Sequence, residues 1–528
     1  MARITRWLPL ALVLLLAAAL RLYDLSGVPT ELSADELEFY NSAASFATTG
    51  HDVDGERHLF FFSANPGRNP PIYSISEYPF AALIGPSPFS LRLAAAVYGL
   101  LTIWLLFLLV RQMTQRDDIA VLAALFAAIA PILVHFSRIA WQPACELPFM
   151  LGGLYGLSRG LAIGEPNAVA APLRVRWLMT GAIVLGLTAY TYMASWLYAL
   201  LLGGALLGLS AIFAPSPRHR RAALLAYALV LIVAAPALYE IFIDPQTALR
   251  TSRIDTFRFG VTLPALRTFA TNYLAQFNWS YLAVDGDPIP GTTWRYLNGM
   301  GAFYWWIVPL AVLGAVGALT KVRSFVWRYW LWFWLLVYPL GSALTDEAAP
   351  NAPRTLAGAP VFCVFAAIGA VVLLDWVRSQ RRKEARAIAT VALTIALTTV
   401  VVISTVQFAA FYFARYVHQA SNAWDSGTAA TFAFVRAHIH SHQTVCFSIR
   451  PAWYALGVYT RYYLNGERVV VVPNLNRDAC KQPGSMVVTD TDHPTADPRV
   501  HRIAKIDDVD GDGFAYVGVV SEGKSHRR

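Results

Sequence analysis

Two adjacent carboxylates mark the chemically richest stretch of the chain, Leu32-Ser33-Ala34-Asp35-Glu36-Leu37-Glu38-Phe39-Tyr40, about fifteen residues beyond an apolar run. A carboxylate beside apolar walls is sensitive to desolvation and can be tuned to take a proton from a sugar or lipid hydroxyl. The same residues also read as a helix start, with Ser33 as cap and the acids in the first turn. Further groups follow in Arg68-Asn69-Pro70-Pro71-Ile72-Tyr73, Gly85-Pro86-Ser87-Pro88-Phe89-Ser90-Leu91-Arg92-Leu93 and His135-Phe136-Ser137-Arg138-Ile139-Ala140-Trp141. Arginine is a fixed cation with several planar donors, suited to a phosphate. Near the end of a membrane span it can also simply snorkel to the interface. Glu146 lies inside an apolar run, where an ionisable group is costly and therefore a functional suspect.

The elements that must position these residues follow from composition. With 56% apolar and 14% charged residues, the chain lies outside the usual soluble range. Uncharged cores occur near 7–20, 95–110, 119–134, 177–193, 195–213, 222–238, 301–320, 329–344, 355–374 and 387–414, and a further run near 144–162 carries only Glu146 and Arg159. Runs of this length must be helical in lipid, so the expected fold is an all-α polytopic membrane protein of about eleven transmembrane helices. The runs at 177–193 and 195–213 nearly touch, which predicts antiparallel neighbours joined by a tight turn at Met193–Ser195. The basic start and apolar run of the first segment imitate a signal peptide, but no convincing small-x-small cleavage site follows, so it is read as a retained span.

Lys and Arg collect in alternate loops: Arg3 and Arg6; Arg111 and Arg116; Arg174 and Arg176; Arg218, Arg220 and Arg221; Lys321, Arg323 and Arg328; Arg378, Arg381, Arg382, Lys383 and Arg386. These loops are expected in the cytoplasm, with the N terminus. Loops 21–90 and 240–300 and the tail from about Tyr416 then lie outside. This asymmetry accounts for most of the formal charge of +9 and argues against a nucleic-acid partner. The chain divides into a membrane domain at 1–415 and a small extracytoplasmic α/β domain at 416–528. In the latter, a helix near 425–441 precedes β-rich runs at QTVCFSI, ERVVVVP, GSMVVTD and FAYVGVV. Cys145 and Cys363 fall in spans, whereas Cys446 and Cys480 fall in the tail and are expected to pair in an oxidising compartment.

The ordered loop motifs resemble those of the GT-C membrane glycosyltransferases, in the branch containing protein O-mannosyltransferases and lipid A aminoarabinose transferases. The resemblance spans roughly 1–415 and rests on the Asp35-Glu36 pair, the proline-rich segment at Arg68–Tyr73, the Ser90-Leu91-Arg92-Leu93 run and the Ser137-Arg138 pair. Gly286-Asp287-Pro288 and Pro353-Arg354-Thr355-Leu356 are similar to family features too. The resemblance implies a polyprenyl-phosphate sugar donor, an acceptor hydroxyl on a lipid, glycan or protein outside the cytoplasm, and inversion at the anomeric carbon. It makes Asp35 and Glu36 the catalytic pair, with Asp35 as general base and Glu36 positioning it or binding donor. Arg138 and Arg354 would neutralise the leaving phosphate, with Arg68 and Arg92 as further substrate contacts. Relatives often carry Asn or Asp shortly after the Ser-Arg pair where Gln142 and Pro143 stand here, and Glu146 is the expected replacement. A bacterial inner membrane is the expected location.

Other groups carry less. His438, His440 and His442 have no evident fourth partner for a metal. Asp508-Val509-Asp510-Gly511-Asp512-Gly513 begins like a calcium loop, but Val519 stands where a bidentate glutamate belongs, so a polar turn is expected. Asn278-Trp279-Ser280 is a formal glycosylation sequon. No nucleotide-binding glycine fingerprint occurs, no cofactor is identified by the sequence, and a divalent-metal requirement stays open. The rival class is a polytopic transporter or lipid flippase, whose usual marks are internal repeats and charged or broken helices at the midplane. Here acids and arginines gather at the outer boundary instead.

Overall fold

A computed structural model describes residues 7–521 apart from 58–59, 65–66, 166–171, 249–254, 288–296, 347–348, 381–382, 422–423, 440–442, 450–452, 466, 468–469, 473–474, 476, 493 and 496. Arg3, Arg6, Pro288, Arg381, Arg382, His440 and His442 lie outside the described residues.

The first apolar helix, α1 (Leu8–Leu22), leads into α2 (Ala34–Thr49), which carries the two carboxylates. Helix α2 starts as a capping box: Ser33 Oγ accepts from Glu36 N, and the Glu36 side chain reaches back to Ser33 N. It ends at Gly50, whose φ of 73° suits glycine. The hairpin β1 (Phe62–Ser63) and β2 (Arg68–Asn69) and helix α3 (Ile72–Ile84) complete the loop. Helix α4 (Pro88–Thr114) is capped by Ser87 and runs 27 residues.

The expected third span is not one helix. It divides into α5 (Asp117–Ile129) and α6 (Pro131–Phe136). Proline has no N–H and restricts the residue before it, so the helix stops at Ala130. Ile132 N, freed by the break, donates to Ala302 O at 3.1 Å. Helices α7 (Pro143–Gly160), α8 (Val175–Leu187), α9 (Ser195–Ile212), α10 (Pro217–Phe242) and α11 (Leu263–Ala275) follow. The turn between α8 and α9 falls where the sequence predicts it. Beyond it come α12 (Ile307–Lys321), α13 (Phe325–Val337), the short α14 (Ala352–Thr355), α15 (Pro360–Arg378) and α16 (Lys383–Ala410). Helices α12 and α15 pack closely because Gly314 and Gly369 face each other's backbones; a Cβ at Gly314 would strike Phe365 O.

The chain is an integral membrane protein. A helix occurs at each expected span, yet by length and hydropathy five described helices qualify to cross: 88–114, 195–212, 217–242, 360–378 and 386–419. Helices 8–22, 175–190 and 307–321 are apolar but shorter. The basic loops converge at one end. Asp375 receives Lys321 Nζ at 2.5 Å and Arg116 at 3.1 Å, and Ile163 O receives Gln112 at 3.0 Å and Trp327 at 3.3 Å.

The tail contains α17 (Thr428–His438), α18 (Trp453–Tyr463) and a five-stranded sheet of order β4-β3-β5-β7-β6. Its strands are β3 (Thr444–Ser448), β4 (Val470–Val472), β5 (Met486–Asp490), β6 (Val500–Asp507) and β7 (Gly513–Val520). Strand β3 pairs parallel with β4 and β5, while β7 runs antiparallel between β5 and β6. Strand β6 and helix α18 were not expected: β6 is a mostly exposed, charge-bearing edge, and α18 is rich in aromatic residues that favour strands in isolation. Cys446 and Cys480 form a disulfide, with sulfurs 2.01 Å apart. The Asp508–Asp512 segment is a turn whose Asp510 carboxylate accepts from Ser421 at 2.7 Å.

Candidate active site

Glu36 is fully buried and organises the loop that follows α1. Its Oε1 accepts from Arg92 Nε at 2.9 Å and Ala140 N at 2.8 Å; its Oε2 accepts from Ser33 N at 2.9 Å. Longer bonds from Ser33 Oγ at 3.3 Å and Arg92 Nη2 at 3.4 Å fill the remaining directions. Arg92, equally buried, also donates to the carbonyls of Pro29 at 2.7 Å, Leu25 at 3.4 Å and Glu31. Trp424, from the tail, lies over its guanidinium at 5.5 Å.

The four ordered motifs therefore meet. The Asp35-Glu36 pair, the Ser-Leu-Arg run and the segment after Ser137-Arg138 join at Glu36. The proline-rich segment is tied in by Gln142 Nε2 donating to Pro70 O at 2.8 Å and Tyr73 Oη donating to Leu91 O at 3.1 Å. Asp35, one residue before Glu36, points about 100° away round the helix and is half-buried.

Each remaining predicted residue has a definite place. Arg68 Nη1 bridges Glu240 and Asp244 at 3.1 Å each, at the end of α10. Arg138 is fully buried and spends its Nη1 and Nη2 groups on four main-chain carbonyls: Leu20 and Arg21 at 3.0 Å, Asp24 at 3.0 Å and Val28 at 2.8 Å. This bracket fixes the end of α1 to the loop. Glu146 is buried in α7, with Oε2 accepting from Ser195 Oγ at 2.8 Å. Arg354 is half-buried in α14, which Asn351 caps. Gly286 and Asp287 of one looser motif line a small pocket of about 20 Å³ with His135 and with Ala352, the residue just before the other, room for about one water.

Three features escaped the sequence reading. Glu77 in α3 is fully buried, and among the described residues neither carboxylate oxygen has a hydrogen-bond partner. Burial, followed by the Glu36 charge, pushes its carboxyl well above the usual range. Glu31 accepts from Gly427 N at 3.3 Å, at the start of α17. Burial pushes its carboxyl up to about 7, against the opposing pull of the Gly427 and Ala429 N–H groups and the Arg92 charge. The docking of the tail on α2, through Asn41 Nδ2 to Val458 O at 3.0 Å and Tyr40 against Tyr462 at 5.6 Å, is the third. Glu77 had a signal, a lone acid in an apolar helix; the other two are long-range pairings with none.

The family of dolichyl-phosphate-mannose-protein mannosyltransferases matches residues 68–239. No curated protein sequence matches the chain. The crystal structure of ArnT from Cupriavidus metallidurans bound to undecaprenyl phosphate is similar at TM-score 0.57, with 14% identity over 97% of both chains. The archaeal oligosaccharyltransferase AglB from Archaeoglobus fulgidus, in complex with an inhibitory peptide and a dolichol-phosphate, is similar at TM-score 0.57, with 12% identity over 93% of this chain and 70% of that one. The chain has the GT-C fold, as the loop motifs imply.

Proposed function

We propose that this protein is a membrane glycosyltransferase that moves a sugar from a polyprenyl-phosphate donor to an extracytoplasmic acceptor hydroxyl, with inversion. The observation that carries this reading is the assembly of four separated loop motifs around the buried Glu36–Arg92 pair, which leaves Asp35 half-buried at the start of α2. Asp35 takes the acceptor proton as the hydroxyl oxygen attacks the anomeric carbon. The bond from that carbon to the phosphate oxygen breaks on the opposite side, and its electron pair leaves with the carrier phosphate. Arg354, half-buried in α14, is the arginine we assign to that phosphate, the role that the family resemblance gives it. Glu36, with its lone pairs taken, acts as a positioning residue for the Asp35 turn. Arg68 orders the hairpin, and Glu146 holds α7 to the start of α9.

The fold likeness to ArnT and AglB and the partial family match support a lipid-linked donor. Convergence of basic loops at one end, and of the acidic loop and tail at the other, supports a cytoplasmic N terminus and an extracytoplasmic C-terminal domain; about eleven crossings and residence in a bacterial inner membrane belong to the same proposal. Mass spectrometry of polyprenyl-phosphate sugars and envelope glycans in cells with and without the protein tests the reading. A donor that accumulates and a glycan that disappears without it are expected; unchanged pools of both contradict it.

A further inference from the structure

A cleft of about 330 Å³ opens between α2, the β1–β2 hairpin and α18, and shares no lining residue with the small pocket at His135. Its volume falls at the lower end of the roughly 300–1,000 Å³ typical of small-molecule sites. Glu38 and Asn41 of α2 form one wall, Asp54 and Ser63 a second, and Val458 and Arg461 of the C-terminal domain the third. The cleft is preorganised: Asn41 Nδ2 donates to Val458 O at 3.0 Å, Asn69 Nδ2 to Glu38 at 3.2 Å, and Ser63 Oγ to Asp52 at 2.6 Å.

Its position relates it to the chemistry. Glu38 follows Asp35 by three residues, so the two share a helix face with Cβ atoms about 5–6 Å apart. A molecule seated against Glu38 extends one helical turn to reach Asp35. The lining also selects a chemical class. Planar carboxylate, amide and guanidinium groups engage neighbouring hydroxyls in pairs, and each hydroxyl both donates and accepts. Among the described residues Arg461 has no carboxylate partner, so its donors are available to a ligand. Two carboxylates against one guanidinium disfavour a phosphorylated ligand. Strand addition by a peptide is disfavoured because wall backbone is in use: Ala64 N donates to Gly67 O at 2.8 Å, and Val458 O is taken by Asn41.

We propose that this cleft is the acceptor subsite and takes a hydroxyl-rich, non-phosphorylated glycan, with the C-terminal domain supplying one wall of its specificity. The assignment rests on the glycosyltransferase reading.

The test uses full-length protein in nanodiscs and saturation-transfer NMR with maltose, lactose and N,N′-diacetylchitobiose, beside a Ser/Thr-rich peptide. Arg461→Ala and Asp54→Asn alter exposed side chains, and undecaprenyl phosphate binding checks that each variant is folded. At least one disaccharide is expected to bind saturably, and each substitution should weaken it about tenfold, the scale of one charged hydrogen bond. Failure of all three sugars to bind, sugar binding that survives both substitutions, or peptide binding lost in the same variants overturns the assignment. A wild-type protein that releases no sugar from any polyprenyl-phosphate donor overturns the enzymatic reading instead, so the two failures are distinct.

Discussion

Replacing Glu36 by Gln keeps the shape of the most buried polar node and removes its charge. The carboxylate takes three bonds of 2.8–2.9 Å, from Arg92 Nε, Ala140 N and Ser33 N, with both oxygens used. An amide must turn its NH2 toward one of these donors, so at least one bond becomes a donor–donor contact. A charged hydrogen bond contributes about 1.5–3 kcal/mol. Removing one partner of a buried pair costs about 3–5 kcal/mol, because the other charge stays buried. Arg92→Met makes the complementary cut, orphaning Glu36 and the carbonyls of Pro29, Leu25 and Glu31. Each single variant is expected to lose about 3–5 kcal/mol, and the double variant less than their sum by about 2–3 kcal/mol. Fluorescence-detected thermal unfolding and pulse proteolysis in detergent read these losses. A stable Glu36→Gln protein with turnover reduced a hundredfold would refute the positioning role and place Glu36 in the chemistry.

Nonreducing peptide mapping should find Cys446 linked to Cys480, and Cys446→Ser should weaken the C-terminal domain by about 2–4 kcal/mol; two free thiols contradict this. Glu77 holds its proton more tightly folded than unfolded, so its favourable contribution is full below pH about 4.5 and declines as pH rises toward its elevated folded value. Glu77→Gln should therefore gain stability relative to wild type at pH 8 and little at pH 5, read by thermal unfolding at both; a pH-independent difference is the contrary result. A reporter fused after Arg528 should be active only as an extracytoplasmic enzyme, and cytoplasmic activity would overturn both span count and loop placement.

Long apolar runs were legible because lipid leaves the backbone one solution, and a helix stands at each. The break at Pro131 was visible as a residue but not as a break, since hydropathy ignores the missing N–H. The meeting of Glu36 with Arg92 and Ala140 was legible only as motif order. The contacts of Arg92 and Arg138 were not: each lies near a span end, and only the fold shows Arg138 bracketing four carbonyls. The pairing of Arg68 with Glu240 and Asp244 was not legible either, because these lie 172 and 176 residues further along the chain. Contacts such as Glu31 to Gly427 join positions hundreds of residues apart, which no local periodicity encodes.

The most direct test of the central claim compares purified wild-type and Asp35→Asn protein in nanodiscs with the native polyprenyl-phosphate sugar, measuring initial rates beside donor affinity. General-base assistance is typically worth about 10²- to 10⁴-fold, and Asp35 is half-buried without sharing the Glu36–Arg92 pair. Turnover should fall by about that factor with folding and donor affinity retained. A folded Asp35→Asn protein with near wild-type turnover would contradict the account.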